Sequence, residues 1–137
     1  MLSTSSGGTQ AGIIAGCQLH GVKTRVIGIS ADDPADAIGG VIRRIHKDLA
    51  SLLEVAEDTF AGAAVEIDDT FVGGGYGVAT PESTEAIELC ARREALFLDP
   101  TYTAKAMAGL IARIRGGELA AGTVLFWHTG GQVGLFA

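Results

Sequence analysis

Ser3-Thr4-Ser5-Ser6-Gly7-Gly8-Thr9-Gln10-Ala11-Gly12 runs directly into the apolar Ile13-Ile14-Ala15. Hydroxyls crowd the first residues, and two glycines lie side by side. Such a stretch suits a loop whose N–H groups and hydroxyls point at an anion. The loop opens into a helix whose positive end faces the same anion. Glycine lets the backbone approach closely and take positive φ. Composition alone is equally consistent with a Ser/Gly-rich N-terminal tail ahead of an ordinary capped helix. The remainder of the chain decides between cradle and tail.

Outward from that stretch, short apolar runs alternate with amphipathic ones. Gly12 to His20 reads as a helix that Gly21 ends, and Gly12 and Gly16 leave a bare face suited to lie close to a sheet. The loop ahead of it has no preceding strand to fix its entry, so its first residues are expected to fray. Thr24 to Ser30 is a short strand apolar on both faces, as in a parallel sheet. Asp33-Pro34 then starts a helix, with Asp33 as N-cap and Pro34 at the first helical position. Ile38, Val41, Ile42, Ile45, Leu49, Leu52 and Leu53 form its inward stripe. Arg43, Arg44, Lys47 and Asp48 form a solvated face, and His46 falls near that polar side with no role.

Ala64 to Ile67 is a weak strand. The loop after it sets Gly73, Gly74, Gly75 and Gly77 around Tyr76, in the manner of a loop that reaches over a ligand or simply turns. Adjacent Asp68 and Asp69 lack a third ligand at fixed spacing, so a turn or helix-approach role is expected rather than a metal. Thr80-Pro81 caps a helix that runs to about Arg93. Ala95 to Leu98 is a strand stopped by Asp99-Pro100. Thr101-Tyr102-Thr103 hands over to a helix with Met107, Leu110, Ile111 and Ile114 inward, which Gly116-Gly117 stops. Thr123 to Trp127 is a last apolar strand that ends in His128-Thr129-Gly130-Gly131.

This alternation predicts a single α/β domain over 1–137, with a mainly parallel sheet flanked by helices. In such sheets ligands bind beyond the carboxyl ends of the strands. Asp99 to Thr103 and His128 to Gly131 are polar turns at such ends. With the opening loop and Tyr76 they are expected to converge on one pocket.

The 137 residues carry a net charge of −6 with scattered basic residues, which argues against nucleic acid and anionic membranes as partners. No run approaches the roughly 18 apolar residues of a membrane span. Nothing at the start resembles a signal peptide. Cys17 and Cys90 lie in apolar helical patterns and read as reduced, packed thiols of a cytoplasmic protein.

Four motifs occur in order: Ser6-Gly7-Gly8-Thr9-Gln10-Ala11-Gly12, Tyr76-Gly77, Leu98-Asp99-Pro100-Thr101-Tyr102-Thr103-Ala104-Lys105-Ala106-Met107, and His128-Thr129-Gly130-Gly131. Together they resemble the D-cysteine desulfhydrase and 1-aminocyclopropane-1-carboxylate deaminase family. That family belongs to the tryptophan-synthase β-like, fold-type II pyridoxal-phosphate enzymes. The resemblance covers essentially the whole chain and moves the opening stretch towards a cradle.

It implies pyridoxal 5'-phosphate as cofactor and a small amino acid as substrate. Ser6, Gly7, Gly8 and Thr9 would cradle the phosphate. Tyr76 and Tyr102 would be the catalytic tyrosines. Thr129, with Gly130 beside it, would place a hydroxyl against the pyridine nitrogen. Thr103 would also bind the cofactor; it stands where the deaminase branch carries a Glu serving that nitrogen, and Thr129 where that branch carries an apolar residue. Both point to the desulfhydrase branch, which converts D-cysteine to pyruvate, sulfide and ammonia. The cyclopropane deaminase and a non-catalytic phosphate-binding remnant are the alternatives.

The family's Schiff-base lysine lies upstream of the phosphate loop. The chain therefore resembles only the C-terminal part of a family member, and is expected to be an inactive or very weak fragment. Lys23, Lys47 and Lys105 do not match that lysine. A complementing N-terminal half and a homo-oligomeric state are the partners this implies, because the intact fold would cover apolar surface left bare here.

Overall fold

The computed structural model describes residues 1–119 and 122–136. Its centre is a three-stranded parallel sheet in the order β1 (Leu2–Thr4), β2 (Ile27–Ser30), β3 (Glu66–Asp68). Helices α1 (Gly8–Leu19) and α2 (Ala35–Leu52) make the two crossovers. Helices α3 (Pro81–Glu94) and α4 (Thr103–Arg115) follow, and a short 3-10 turn spans Gln132–Phe136. The α/β class with a parallel sheet is as the alternating pattern predicts.

Alternation along β2 explains the layering. Ile27 and Ile29 face α4, where they pack with Ala106 and Phe71. Gly28 faces α1, within reach of the Gln10 side chain. On the α1 side, Ala11, Ile14, Ile38 and Ile42 form one cluster with Val65 and Ile67. On the other, α3 packs on α4 through Ala86, Cys90, Ala104 and Ala108. The sheet is thus covered on both faces, which is why β2 is apolar from Ile27 to Ile29 before polar Ser30. Gly109 permits the close approach of α4, since a Cβ there would stand 2.8 Å from Ile29 Cδ1.

Strand order carries the main consequence for function. After β1 the chain moves to one side, through β2 to β3. It later returns to the opposite edge of β1, where Trp127 forms a parallel bridge with Leu2 and its N–H donates to the Met1 carbonyl at 2.8 Å. Direction therefore reverses at β1. The crevice beyond the carboxyl ends of β1 and the Trp127 segment is a topological switch point.

Several expectations change. The opening loop is entered from a strand, because Leu2, Ser3 and Thr4 are all buried and paired with β2, so its entry is fixed rather than frayed. Helix α1 starts at Gly8, four residues earlier than the apolar pattern indicates. Its Gly12 and Gly16 face open space and do not lie against the sheet. Asp33 does not cap α2. Pro34 holds the capping position, and the Ala35 N–H donates to Asp69 Oδ2 at 2.8 Å, a cap supplied from a distant loop. Leu52 and Leu53 are exposed beyond the inward stripe.

His46 is buried at 4% exposure, with Nε2 3.0 Å from the Ala11 carbonyl, so it ties α2 to α1 instead of facing solvent. Ala95 to Leu98 forms no strand. Ala95 takes φ 53° to end α3, and buried Leu98 is held by the α3–α4 cluster rather than by a ladder. Thr123 to Trp127 is reduced to the single bridge at Trp127.

Thr80 behaves as the local pattern requires. Its Oγ1 accepts from the Ser83 N–H at 3.1 Å, and its own N–H donates to Ser83 Oγ at 2.8 Å. Asp68 accepts from Thr70 and from Arg113 at 2.8 Å, and Asp69 caps α2, which are the turn and helix roles expected of that pair. Cys17 and Cys90 are free thiols.

Candidate functional site

At the switch point lies a cavity of about 370 Å³ lined by Ser3, Ser5, Ser6, Thr9, Tyr102, Thr129, Gly130 and Gly131. That size lies within the range of small-ligand sites, about 300–1,000 Å³. Its floor is the β1–α1 turn. Gly7 takes φ 76°, which turns the chain sharply into α1, and a Cβ there would stand 2.9 Å from Ile42 Cγ1. The first helical N–H to find an acceptor in this turn is that of Ala11, on the Gly7 carbonyl at 2.9 Å. The N–H groups of Gly8, Thr9 and Gln10 precede it, at the positive end of the helix.

The hydroxyls differ in their availability. Ser6 and Thr9 are exposed to the cavity. Ser5 Oγ donates to Asp32 Oδ2 at 2.6 Å and is already engaged. Ser3 Oγ is buried, lines the cavity and has no hydrogen-bond partner among the described residues. A buried hydroxyl without a partner carries a desolvation cost that a polar ligand would relieve. The donor set suits a phosphate group: free N–H groups, two available hydroxyls, one orphaned hydroxyl, and bare space beside Gly8, where a Cβ would meet no atom within 4 Å.

Across the cavity, Asp99 organises the second wall. Buried at 2% exposure, it accepts through Oδ2 from the N–H groups of Thr101 and Tyr102, and through Oδ1 from the N–H and hydroxyl of Thr103. Asp99 thereby sets the turn that presents Tyr102. Read along the chain, Asp99-Pro100 has only the task of ending a strand. An Asp followed at two to four residues by polar turn residues is the signal that would have found it. Thr103 is consequently not in the cavity: its hydroxyl donates to Asp99 and accepts the Asp99 N–H at 2.9 Å.

Tyr76 and Tyr102 do come together. Their hydroxyls are hydrogen-bonded, and their rings meet edge to face with centroids 5.7 Å apart. The bond to Tyr76, reinforced by burial, pushes the Tyr102 phenol up to about 12. Tyr102 lines the cavity, while Tyr76 stands above it at 59% exposure. Thr129 and Gly130 lie on the opposite rim, and the His128 ring accepts the Gly130 N–H at 3.1 Å. Gly7 and Gly8 shape the floor through the backbone without lining the cavity with side chains.

No lysine lines this cavity. Lys47 pairs with Glu57 at 2.9 Å on the surface. Lys23 borders a separate apolar groove. Lys105 is fully buried and donates to the carbonyls of Ala31, Val72 and Gly75 at 3.0, 2.8 and 2.8 Å. Burial pushes its amine below the ordinary lysine value, whereas the nearby Asp32 opposes that shift. Its three donors are all engaged, so it is not a free nucleophile.

A family profile described as "Pyridoxal-phosphate dependent enzyme" matches residues 1–130. The chain is 41% identical over 133 residues to a 1-aminocyclopropane-1-carboxylate deaminase of Ralstonia nicotianae, a match covering 96% of this chain and 39% of that protein. A protein of the same name from Variovorax paradoxus is 40% identical over 133 residues, with the same coverage. Among solved structures, one described as an ACC deaminase homologue superposes with a TM-score of 0.84 at 34% identity, covering 97% of this chain and 39% of that one. The chain thus spans 39% of the length of the curated relatives it matches.

Proposed function

The chain belongs to the pyridoxal-phosphate-dependent enzymes, and on that premise we propose that it forms the cofactor-phosphate and ring-nitrogen side of a lyase acting on a small amino acid. The observation that carries this reading is the switch-point cavity, with the α1 N-terminus and the Ser6 and Thr9 hydroxyls on one side and Thr129 on the other. When bound, pyridoxal phosphate supplies an electron sink for negative charge at the substrate Cα. Ser6, Thr9 and the first N–H groups of α1 hold the phosphate. Thr129 would offer the ring nitrogen a neutral hydroxyl, a partner that does not call for a protonated nitrogen as a carboxylate would. Tyr102 and Tyr76 hold a proton at their shared hydroxyl contact on the substrate side. The lysine that carries the cofactor in such enzymes is proposed to come from outside these residues, because none of the three lysines here reaches the cavity.

On substrate, we favour α,β-elimination of D-cysteine to pyruvate, sulfide and ammonia. The hydroxyl of Thr129 at the cavity rim supports it. Thr103 lends no support, since its hydroxyl is committed to Asp99. The deaminase reading is favoured by the relatives, whose names are those of 1-aminocyclopropane-1-carboxylate deaminases.

Equilibrium dialysis tests the site. The chain is expected to retain pyridoxal phosphate, to release it to excess inorganic phosphate, and to bind it at least about tenfold more weakly after Ser6→Ala with Thr9→Ala, as loss of charge-assisted hydrogen bonds implies. No retention by the unaltered chain would overturn the proposal. For substrate, a completed protein carrying this chain is expected to release pyruvate from D-cysteine. Release of 2-oxobutyrate from the cyclopropane amino acid alone would select the deaminase.

We also propose that the apolar groove formed by Leu2, Ile13, Val26, Val124, Leu125 and Trp127 takes a second copy of this chain. Leu125 and Trp127 are exposed there, and burying such a patch favours association. Sedimentation of the lone chain should show association. A monodisperse monomer at high concentration would contradict this.

A further inference from the structure

Lys105 is the largest fully buried side chain among the described residues. Nothing in the cofactor reading uses it. A lysine is very seldom buried without partners, because desolvating its charge is costly. Here each ammonium proton has an acceptor, and the three acceptors come from two places. Ala31 directly follows β2. Val72 and Gly75 belong to the loop that carries Tyr76. Lys105 itself lies on α4, three residues after Tyr102.

Past Phe71, which packs against the Ile27–Ile29 cluster, the loop that carries Tyr76 is bound mainly by weak backbone contacts. Gly73, Gly75 and Gly77 all take positive φ, and glycine loses the most conformational freedom on ordering. The loop's own backbone bonds are long: Val72 N–H to the Asp69 carbonyl and Gly75 N–H to the Val72 carbonyl at 3.4 Å, Val78 N–H to the Gly75 carbonyl at 3.3 Å. The two bonds from Lys105 are 2.8 Å and charge-assisted. We propose that Lys105 is a positioning residue: its ammonium clamps the Val72 and Gly75 carbonyls to the end of β2, and so holds the Tyr76 hydroxyl against that of Tyr102. The importance of this for substrate rests on the reading of the tyrosines given above; the clamp itself does not.

Tyr76 and Tyr102 are the only two tyrosines of the chain. Photo-oxidative coupling to dityrosine, read by its fluorescence on the monomeric product, therefore reports this one pair without cofactor or turnover. Lys105→Met is expected to keep its circular dichroism and to give about tenfold less intramolecular dityrosine, because two charge-assisted bonds to the loop are lost. In Lys105→Ala, ammonium chloride should restore the yield and sodium chloride should not, because ammonium refills the three-carbonyl cage with donors. A folded Lys105→Met with the unaltered yield would overturn the proposal. So would a Lys105→Ala chain that responds no more to ammonium than to sodium, which decides the matter if the Met variant fails to fold. Neither arm depends on cofactor binding, so failure of the clamp and failure of the cofactor reading are separable.

Discussion

Asp99→Ala is expected to cost on the order of 3 kcal/mol or more in stability and to abolish measurable retention of pyridoxal phosphate, since each buried donor left unsatisfied costs about 1–3 kcal/mol. Four donors converge on this carboxylate: the N–H groups of Thr101, Tyr102 and Thr103, and the Thr103 hydroxyl. Asp99 also supports the opposite rim, because Gly131 packs on it so closely that a Cβ there would stand 2.5 Å from Oδ1. Removing the carboxylate therefore loosens Tyr102 and the 128–131 turn together. Asp99→Asn distinguishes charge and geometry from bulk. Its amide keeps one acceptor oxygen, but turns a donor towards N–H groups that need an acceptor. It should lose much of what Ala loses. Denaturant unfolding with the dialysis assay checks both, and an Asn variant as stable as the unaltered chain would show that the four bonds do not set the turn.

The second large effect is expected from the middle of the sheet. In Gly28→Ala the new Cβ would lie 2.1 Å from Gln10 Oε1, 2.7 Å from Gln10 Cδ and 2.8 Å from Thr4 Cγ2. Gln10 cannot simply swing aside. It is 0% exposed, and its Nε2 donates to the Glu66 carbonyl at 2.7 Å. Relief requires that bond to break, or α1 to move off the sheet. Overpacking of this kind costs about 1–3 kcal/mol, and the lost hydrogen bond adds to it. Gln10 lies in the first turn of α1, so displacement is passed directly to the Ser6–Thr9 floor, and phosphate binding should weaken along with stability. Gln10→Ala in the same chain opens the space. The double variant should be more stable than the sum of the two single effects predicts, since residues in contact are not additive. Strict additivity would show that the clash is relieved elsewhere.

How much of this is legible along the chain follows the range of each interaction. The Thr80-Pro81-Glu82-Ser83 cap is legible because donor and acceptor are three residues apart. Asp33-Pro34 offers the same signature, yet α2 takes its cap from Asp69, which no local pattern can announce. His46 reads as polar surface on a helical projection, but it is buried because α1 happens to bring the Ala11 carbonyl to it. The glycine pair Gly12 and Gly16 reads as a packing face and is solvent-facing, since the sheet lies on the other side of α1. Among the candidate site residues, Ser6, Thr9, Tyr102, Thr129 and Gly130 meet in one cavity, and Tyr76 reaches it through Tyr102. Thr103 does not, because Asp99 offers its hydroxyl two partners within the turn.

By itself the sequence determined the four helices and the parallel β2 and β3 runs between them, with the amphipathic stripe of α2 and the glycines that free the Tyr76 loop, but not the strands read at 95–98 and 123–127, which do not form. The features it determined depend on neighbours a few residues apart, and period and turn chemistry suffice for them. Only the tertiary structure decided that the chain reverses direction at β1, which opens the crevice where the first and last motifs meet. It alone decided which hydroxyls remain free, and that Lys105 is clamped rather than reactive. Strand order and side-chain commitment arise from contacts between segments tens of residues apart, such as Leu2 with Trp127 and Lys105 with Ala31. Such contacts leave no period in the sequence to read.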